Sequence, residues 1–121
     1  MNASTQTKFD VSAFKRGYED WDVGGLLELY ADDVELVQID GDNPPSAPRI
    51  RRGRDVLEGM FSHCASAGVK ASVENTVAGA DRAAATVTCE FPGGRKVVAN
   101  VILELDGGRI VRELDVARGD S

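Results

Sequence analysis

Near the end of the chain, the run Arg112-Glu113-Leu114-Asp115 sets two carboxyl groups two residues apart. On a β-strand, residues i and i+2 share a face, so the pair can act together. Turned toward a dry interior, each group would find its charged form disfavoured, and each negative charge would raise the pKa of the other. A carboxylate raised in that way is a base able to take a proton from a carbon next to a carbonyl. Turned toward water, the same residues are a solvated edge. The surrounding alternation favours water: Ile110, Leu114 and Val116 fall on one face and Val111, Glu113 and Asp115 on the other, so hydrophobicity alone puts the acids outside.

Other reactive side chains are sparse. His63 borders the apolar stripe Val56, Leu57, Met60, Phe61, Cys64 of a helix predicted from Asp55; its ordinary pKa suits proton transfer, but a half-exposed structural histidine is the simpler reading. Cys64 and Cys89 fall in a predicted helix and a predicted strand among apolar neighbours, as buried free thiols of a reducing compartment do. One histidine and no Cys-x-x-Cys provide no metal constellation, and nothing calls for a cofactor. Arg49, Arg51, Arg52 and Arg54 crowd one short run. They read either as a solvated basic edge or as a clamp for an anionic ligand or acidic partner.

The elements that must position these groups follow from periodicity. Asp10 or Ser12 can cap a first helix, along which Val11, Phe14, Tyr18 and Trp21 recur at helical spacing. Asp22 caps a second helix, Val23 to Tyr30, with Leu26, Leu29 and Tyr30 as its buried stripe. Gly24 and Gly25 each cost that helix about 1 kcal/mol relative to Ala, which predicts tight packing there. Val34 to Gln38 alternates as a strand. Asp40 to Pro48 is dense in turn formers and long enough to be a lid or binding loop. Beyond Lys70 the period is two, with strands predicted over Ala71–Val77, Arg82–Phe91, Lys96–Leu105 and Arg109–Ala117, and Asp106-Gly-Gly108 as the strongest hairpin signal. Along Lys96–Leu105 one face is Val97, Ala99, Val101, Leu103, Leu105. Its reverse, Lys96, Val98, Asn100, Ile102, Glu104, is apolar enough to predict a homodimer through the sheet.

The 121 residues make one domain, 1–121, with Met1–Lys8 polar and expected to fray. A formal charge of −6 argues against general nucleic-acid binding. No apolar run reaches the roughly twenty residues needed to span a bilayer, and the N-terminal stretch lacks the apolar core of a secretory signal. The expectation is a cytoplasmic protein without membrane partners.

Asp22-Val23, Leu26, Leu29-Tyr30-Ala31-Asp32-Asp33-Val34, Gly53-Arg54 with the following helix, and Asp106-Gly107-Gly108-Arg109-Ile110 together resemble the nuclear transport factor 2-like superfamily. Within it, the chain is most similar to the SnoaL-like polyketide cyclase and ketosteroid isomerase branch. The resemblance implies an α+β fold: a cone-shaped barrel of three N-terminal helices packed on a curled, mostly antiparallel sheet, with a cavity between them. It also implies that Val111, Glu113 and Asp115 look into that cavity, leaving the Ile110 face as the dimer side.

By the same resemblance, the isomerase tyrosine falls on Phe14, its base on Gln38 and its acid on the Val101 line, which has no carboxyl group, so steroid isomerase chemistry in that form is not expected. The Arg-x-Asp of epoxide-hydrolase relatives is absent from Lys96–Leu105. The cyclases' last-strand carboxylate matches Asp115, whereas their cavity histidine has no counterpart. The implied site is Asp115 as acid/base and Glu113 as its modulator, with Phe14, Tyr18, Trp21, Gln38, Met60 and Val101 around a small hydrophobic ligand; Tyr18 and Trp21 serve equally well as core. The expected activity is cyclisation, isomerisation or proton abstraction on a small hydrophobic carbonyl compound without a cofactor. The rival is a non-catalytic dimeric module that binds an apolar molecule or serves assembly.

Overall fold

The computed structural model describes residues 8–120, so the predicted frayed segment, apart from Lys8, lies outside the described residues. Helix α1 spans Val11–Glu19 and α2 spans Val23–Leu27. Asp10 caps α1 by accepting from the Ala13 amide at 3.0 Å, and Asp22 caps α2 by accepting from Gly25 at 3.1 Å. Ser12 lies inside α1 and caps nothing. Between the helices the chain reverses at Trp21, which adopts φ 51°. The close helix–helix approach belongs to Gly17, where a Cβ would stand 2.4 Å from Leu26 Cγ. It does not belong to Gly24, which has open space beside it, and at Gly25 the nearby atoms are those of the Asp22 cap.

Helix α2 is shorter than its apolar stripe predicts, because Tyr30 opens strand β1, Tyr30–Ile39. A four-residue strand, β2 (Arg49–Arg52), pairs antiparallel with β1 and then feeds α3, Arg54–Ser66. The arginine-rich run is therefore an edge strand. Its charged residues and its four-residue length hid it from an alternation test that needs longer runs. The connection before it is organised by Asp40, whose Oδ1 accepts from the Asp42 and Asn43 amides, both at 2.9 Å.

Strands β3 (Lys70–Ala78), β4 (Arg82–Glu90), β5 (Lys96–Asp106) and β6 (Arg109–Gly119) complete a six-stranded sheet of order β2-β1-β6-β5-β4-β3. Only β1 and β6 run parallel. The β5–β6 hairpin closes through Gly107 and Gly108 at φ 61° and 82°, positive values that glycine adopts without strain. The sheet curls around the helices without closing, since its edges β2 and β3 pair with one neighbour each. The expected barrel is thus an open, mostly antiparallel α+β sheet with three helices, of which α3 follows β2 instead of preceding the sheet.

The core lies between the helices and the concave face: Phe14 and Tyr18 from α1, Leu26 from α2, Leu57 and Phe61 from α3, against Tyr30, Val34, Leu36, Val73, Val87, Val101, Leu103 and Ile110. Each fully buried large apolar side chain contributes about 1.5–3 kcal/mol. Polar straps add direction to this packing. Lys15 donates to the Val73 carbonyl at 2.9 Å, and Glu19 accepts from the Val73 amide at 3.0 Å. Trp21 Nε1 donates to the Val69 carbonyl at 2.7 Å, fixing the α1–α2 reversal against the start of β3.

The parity conflict on the last strand resolves in an unexpected way. Leu105 pairs with Ile110 but Glu104 pairs with Arg112, so Val111 is an extra residue, a β-bulge. The bulge shifts the alternation by one. Ile110, opposite Leu105, and Glu113, opposite Leu103, consequently share the concave face. Ile110 is fully buried, so it is not on the dimer side. That convex side carries Leu114 and Val116 instead, beside Ile102 and Asn100.

Candidate active site

Glu113 is the one buried charged residue among the described residues, 1% exposed and paired in register with Leu103 and Leu36. A carboxyl group so placed requires a partner, and Tyr30 supplies it: its hydroxyl donates to Glu113 Oε1 at 2.5 Å. Tyr30 itself is 0% exposed. Burial first, then the Glu113 charge, Tyr18 and the hydrogen bond it donates, hold the Tyr30 hydroxyl protonated well above the usual phenol range. Tyr18 is raised in the same direction by burial and then by the charges of Glu113 and Asp115. Glu113 and Tyr30 thus form a closed pair within the core.

Asp115 lies two residues further along β6, beside Gln38 on β1 and Val101 on β5. The residue is half-buried, but its Oδ1 is shut off from solvent and has no hydrogen-bond partner. Its carboxyl pKa is pushed well above the usual carboxylate range by burial, then by the Glu113 charge and a hydrogen bond with Glu113. Around it the concave face carries small side chains: Ala117 on β6, Ala99 on β5 and Ala71 on β3, each half-buried.

Gln38 is held from the other side. Arg51, on β2 opposite Leu36, donates through Nη2 to Gln38 Oε1 at 2.8 Å and to Met60 Sδ of α3 at 3.2 Å. Because arginine only donates, the amide atom facing it must be the oxygen. The amide nitrogen is left as a donor for a bound molecule. Gln38, Met60 and Asp115 are half-buried; Arg51 links the first two, and Asp115 is the register partner of Gln38.

The other residues expected around a ligand sit deeper. Phe14 and Val101, 1% and 2% exposed, are core side chains. Phe14 packs against Tyr18 with ring centroids 5.2 Å apart. Tyr18 stacks edge-on against Phe61 at 5.4 Å. Trp21 packs against the core and holds Val69, so its indole serves the fold. His63 is exposed in the last turn of α3. Cys64 and Cys89 are free and half-buried, and burial followed by the Cys64 charge lifts the Cys89 thiol to about 11, which keeps it protonated and unreactive. Among the described residues, no three His, Cys, Asp or Glu side chains gather as metal ligands, and no helix is long and apolar enough to cross a membrane.

Two members of the site carry little signal in the sequence. A helical stripe through Leu26, Leu29 and Tyr30 hides Tyr30, whose reach to Glu113 exists only because Tyr30 opens β1. Arg51 stands in the run that reads as a basic edge or an anion clamp, and only the pairing of β2 with β1 separates it from its exposed neighbours. Alternation there misleads, because Ile50 is exposed while Arg51 stands opposite the core residue Leu36.

An open, mostly antiparallel six-stranded sheet curled around three helices defines an α+β protein of nuclear transport factor 2-like fold. A nuclear transport factor 2-like protein of unknown function from Mesorhizobium loti superposes with a TM-score of 0.71 and 22% identity, over 88% of this chain and 85% of that one. A candidate ketosteroid isomerase from Kribbella flavida gives 0.69 and 19%, over 88% and 73%. SalBIII, an epoxide hydrolase/cyclase-like enzyme of pyran ring formation in the polyether salinomycin, gives 0.65 and 19%, over 88% and 86%. At such identities the likeness is one of fold. Comparison with curated protein sequences finds no significant match. Residues 11–113 match the SnoaL-like domain, and the chain belongs to that family.

Proposed function

We propose that this protein is an acid/base enzyme acting on a small hydrophobic carbonyl compound, with Asp115 as the catalytic group. The observation that carries this reading is the Asp115 carboxyl beside Gln38, with one oxygen buried and unpartnered, two residues along β6 from the Glu113–Tyr30 pair. A raised carboxyl pKa brings a carboxylate closer to the basicity needed to abstract a proton α to a carbonyl. In that step Asp115 takes the α-proton, the C–H electron pair moves into the enolate, and the Gln38 amide N–H donates to the developing oxyanion. Return of the proton at another carbon isomerises the substrate. Attack of the enolate carbon on a second carbonyl of the same molecule closes a ring, and Asp115 returns the proton to the new alkoxide. Neither route needs a cofactor.

Glu113 is a positioning residue here. It is too deep to touch a substrate and acts through the charge it presents to Asp115. The family and the isomerase and cyclase descriptions carried by fold relatives support this class of chemistry without naming a substrate. The test is deuterium exchange from solvent at the α-carbon of aryl ketones, followed by NMR. Asp115→Asn is expected to lower the exchange rate by about a hundred-fold or more, the usual contribution of a positioned general base. Undiminished exchange would remove Asp115 from the mechanism.

We further infer a homodimer through the convex face. Val98, Ile102 and Val116, 42%, 43% and 46% exposed, form an apolar patch beside Leu114 that a second copy would cover.

A further inference from the structure

The arginines around β2 are not equivalent. Arg52 pairs with Glu35 at 2.8 Å, Arg54 pairs with Asp32, and Arg112 bridges Glu35 and Glu104 at 2.9 Å each. Arg51 has no ion pair among the described residues, in a chain carrying 20 acidic side chains against 14 basic ones. What it touches is neutral: the Gln38 oxygen and the Met60 sulfur. Its Nε is buried and has no partner.

Strand pairing puts Arg51 on the concave face, because it stands opposite Leu36, which is 2% exposed and part of the core. A buried N–H of a charged group without an acceptor carries an uncompensated desolvation cost. Burial, and then the nearby Arg49, weaken its hold on the proton in the same sense, though a guanidinium remains charged. Two buried side-chain polar atoms lack partners among the described residues, Arg51 Nε and Asp115 Oδ1. They stand on either side of Gln38, which Arg51 binds directly and which is the register partner of Asp115. One is a donor awaiting an anion; the other belongs to the carboxyl proposed to do the chemistry.

We propose that the substrate is a keto acid or comparable carbonyl compound bearing a carboxylate, whose carboxylate seats on Arg51 while its reacting carbonyl end lies at Asp115. The location of the carbonyl end rests on the active-site reading above; the anion site at Arg51 does not. Because Nη2 is already engaged by Gln38 and Met60, the free Nε N–H offers a carboxylate oxygen one charge-assisted hydrogen bond. A singly charged group also suits this neighbourhood better than a phosphate dianion, which the nearby carboxyl groups of Glu113 and Asp115 would repel more strongly. Strands β2 and β6 are separated by β1 alone, about 10 Å across the sheet, so the carboxylate and the reacting carbonyl should lie several bonds apart. Arg51 as a mere strap between β2 and α3 would be indifferent to the charge of a ligand, which separates the two roles.

The experiment is isothermal titration of the whole chain with 3-benzoylpropionate, its methyl ester and the corresponding phosphonate. The acid is expected to bind at least about ten-fold more tightly than the ester, as a charge-assisted contact to arginine provides. Arg51→Gln should abolish that preference, and Arg51→Lys, which keeps the charge but loses the Nε donor, should retain part of it. Asp115→Asn should keep the preference while losing α-proton exchange, so failure of the anion site and failure of the catalytic assignment are read separately. Equal binding of acid and ester, binding of neither at millimolar concentration, or a preference that survives Arg51→Gln overturns the proposal. Tighter binding of the phosphonate than of the acid overturns the carboxylate assignment in favour of a phosphorylated ligand.

Discussion

Replacing Tyr30 by Phe deletes one oxygen from a place where nothing else can take over its bond. The ring would stay, still 6.1 Å from the Phe61 ring, so little apolar packing is lost. What disappears is the donor to Glu113 Oε1 at 2.5 Å, between residues 0% and 1% exposed. A hydrogen bond to a charged group contributes about 1.5–3 kcal/mol, and water cannot reach this carboxyl to replace it, so the expected loss lies near the upper end, roughly 2–3 kcal/mol. For a domain of this size that corresponds to a fall in Tm of roughly 8–12 °C.

Urea denaturation followed by circular dichroism should show a lower midpoint with an unchanged slope. In a Glu113→Gln background, which keeps a neutral acceptor, the same Tyr30→Phe change should cost less, giving a coupling of at least about 1 kcal/mol. If Tyr30→Phe shifts stability by less than about 0.5 kcal/mol and shows no coupling, the pair is not what holds Glu113 in the core.

Asp115→Asn should be more stable than wild type at pH 8 and equal to it near pH 3. A carboxyl whose folded pKa is raised favours the folded state fully below the unfolded value of about 3.9 and loses that contribution as pH climbs through the folded value; parallel denaturation series across pH would show the two curves diverging upward. Glu113→Gln removes the second-largest cause of the Asp115 shift, so the pH profile of α-proton exchange should move to lower pH with a lower plateau. An unmoved inflection would mean that Glu113 does not modulate Asp115. On the convex face, Ile102→Asp should convert a dimer to a monomer in sedimentation equilibrium with its helical signal intact; a wild-type monomer would dismiss the assembly.

The elements that repeat a period over many residues were legible in the chain itself. The α1 stripe, the long strands β4 and β5 and the Asp106-Gly107-Gly108 turn each place one kind of side chain at one recurring interval, and local stereochemistry is enough to translate that into structure. The two carboxyl groups of the last strand were recognisable as partners for the same reason. Their direction was not. It depends on the single extra residue at Val111, and a bulge leaves no mark in the hydrophobic pattern except an apparent contradiction, here Ile110 buried on the same face as the acids from which strict alternation separates it. Arg51 was hidden similarly, because its strand is four residues long and exists only as the pairing partner of β1. Tyr30 and Glu113, 83 residues apart, meet because β1 and β6 lie parallel in the folded sheet. Short-range periodicity is written in the residues; which distant side chain satisfies a buried charge is decided only when the strands pair.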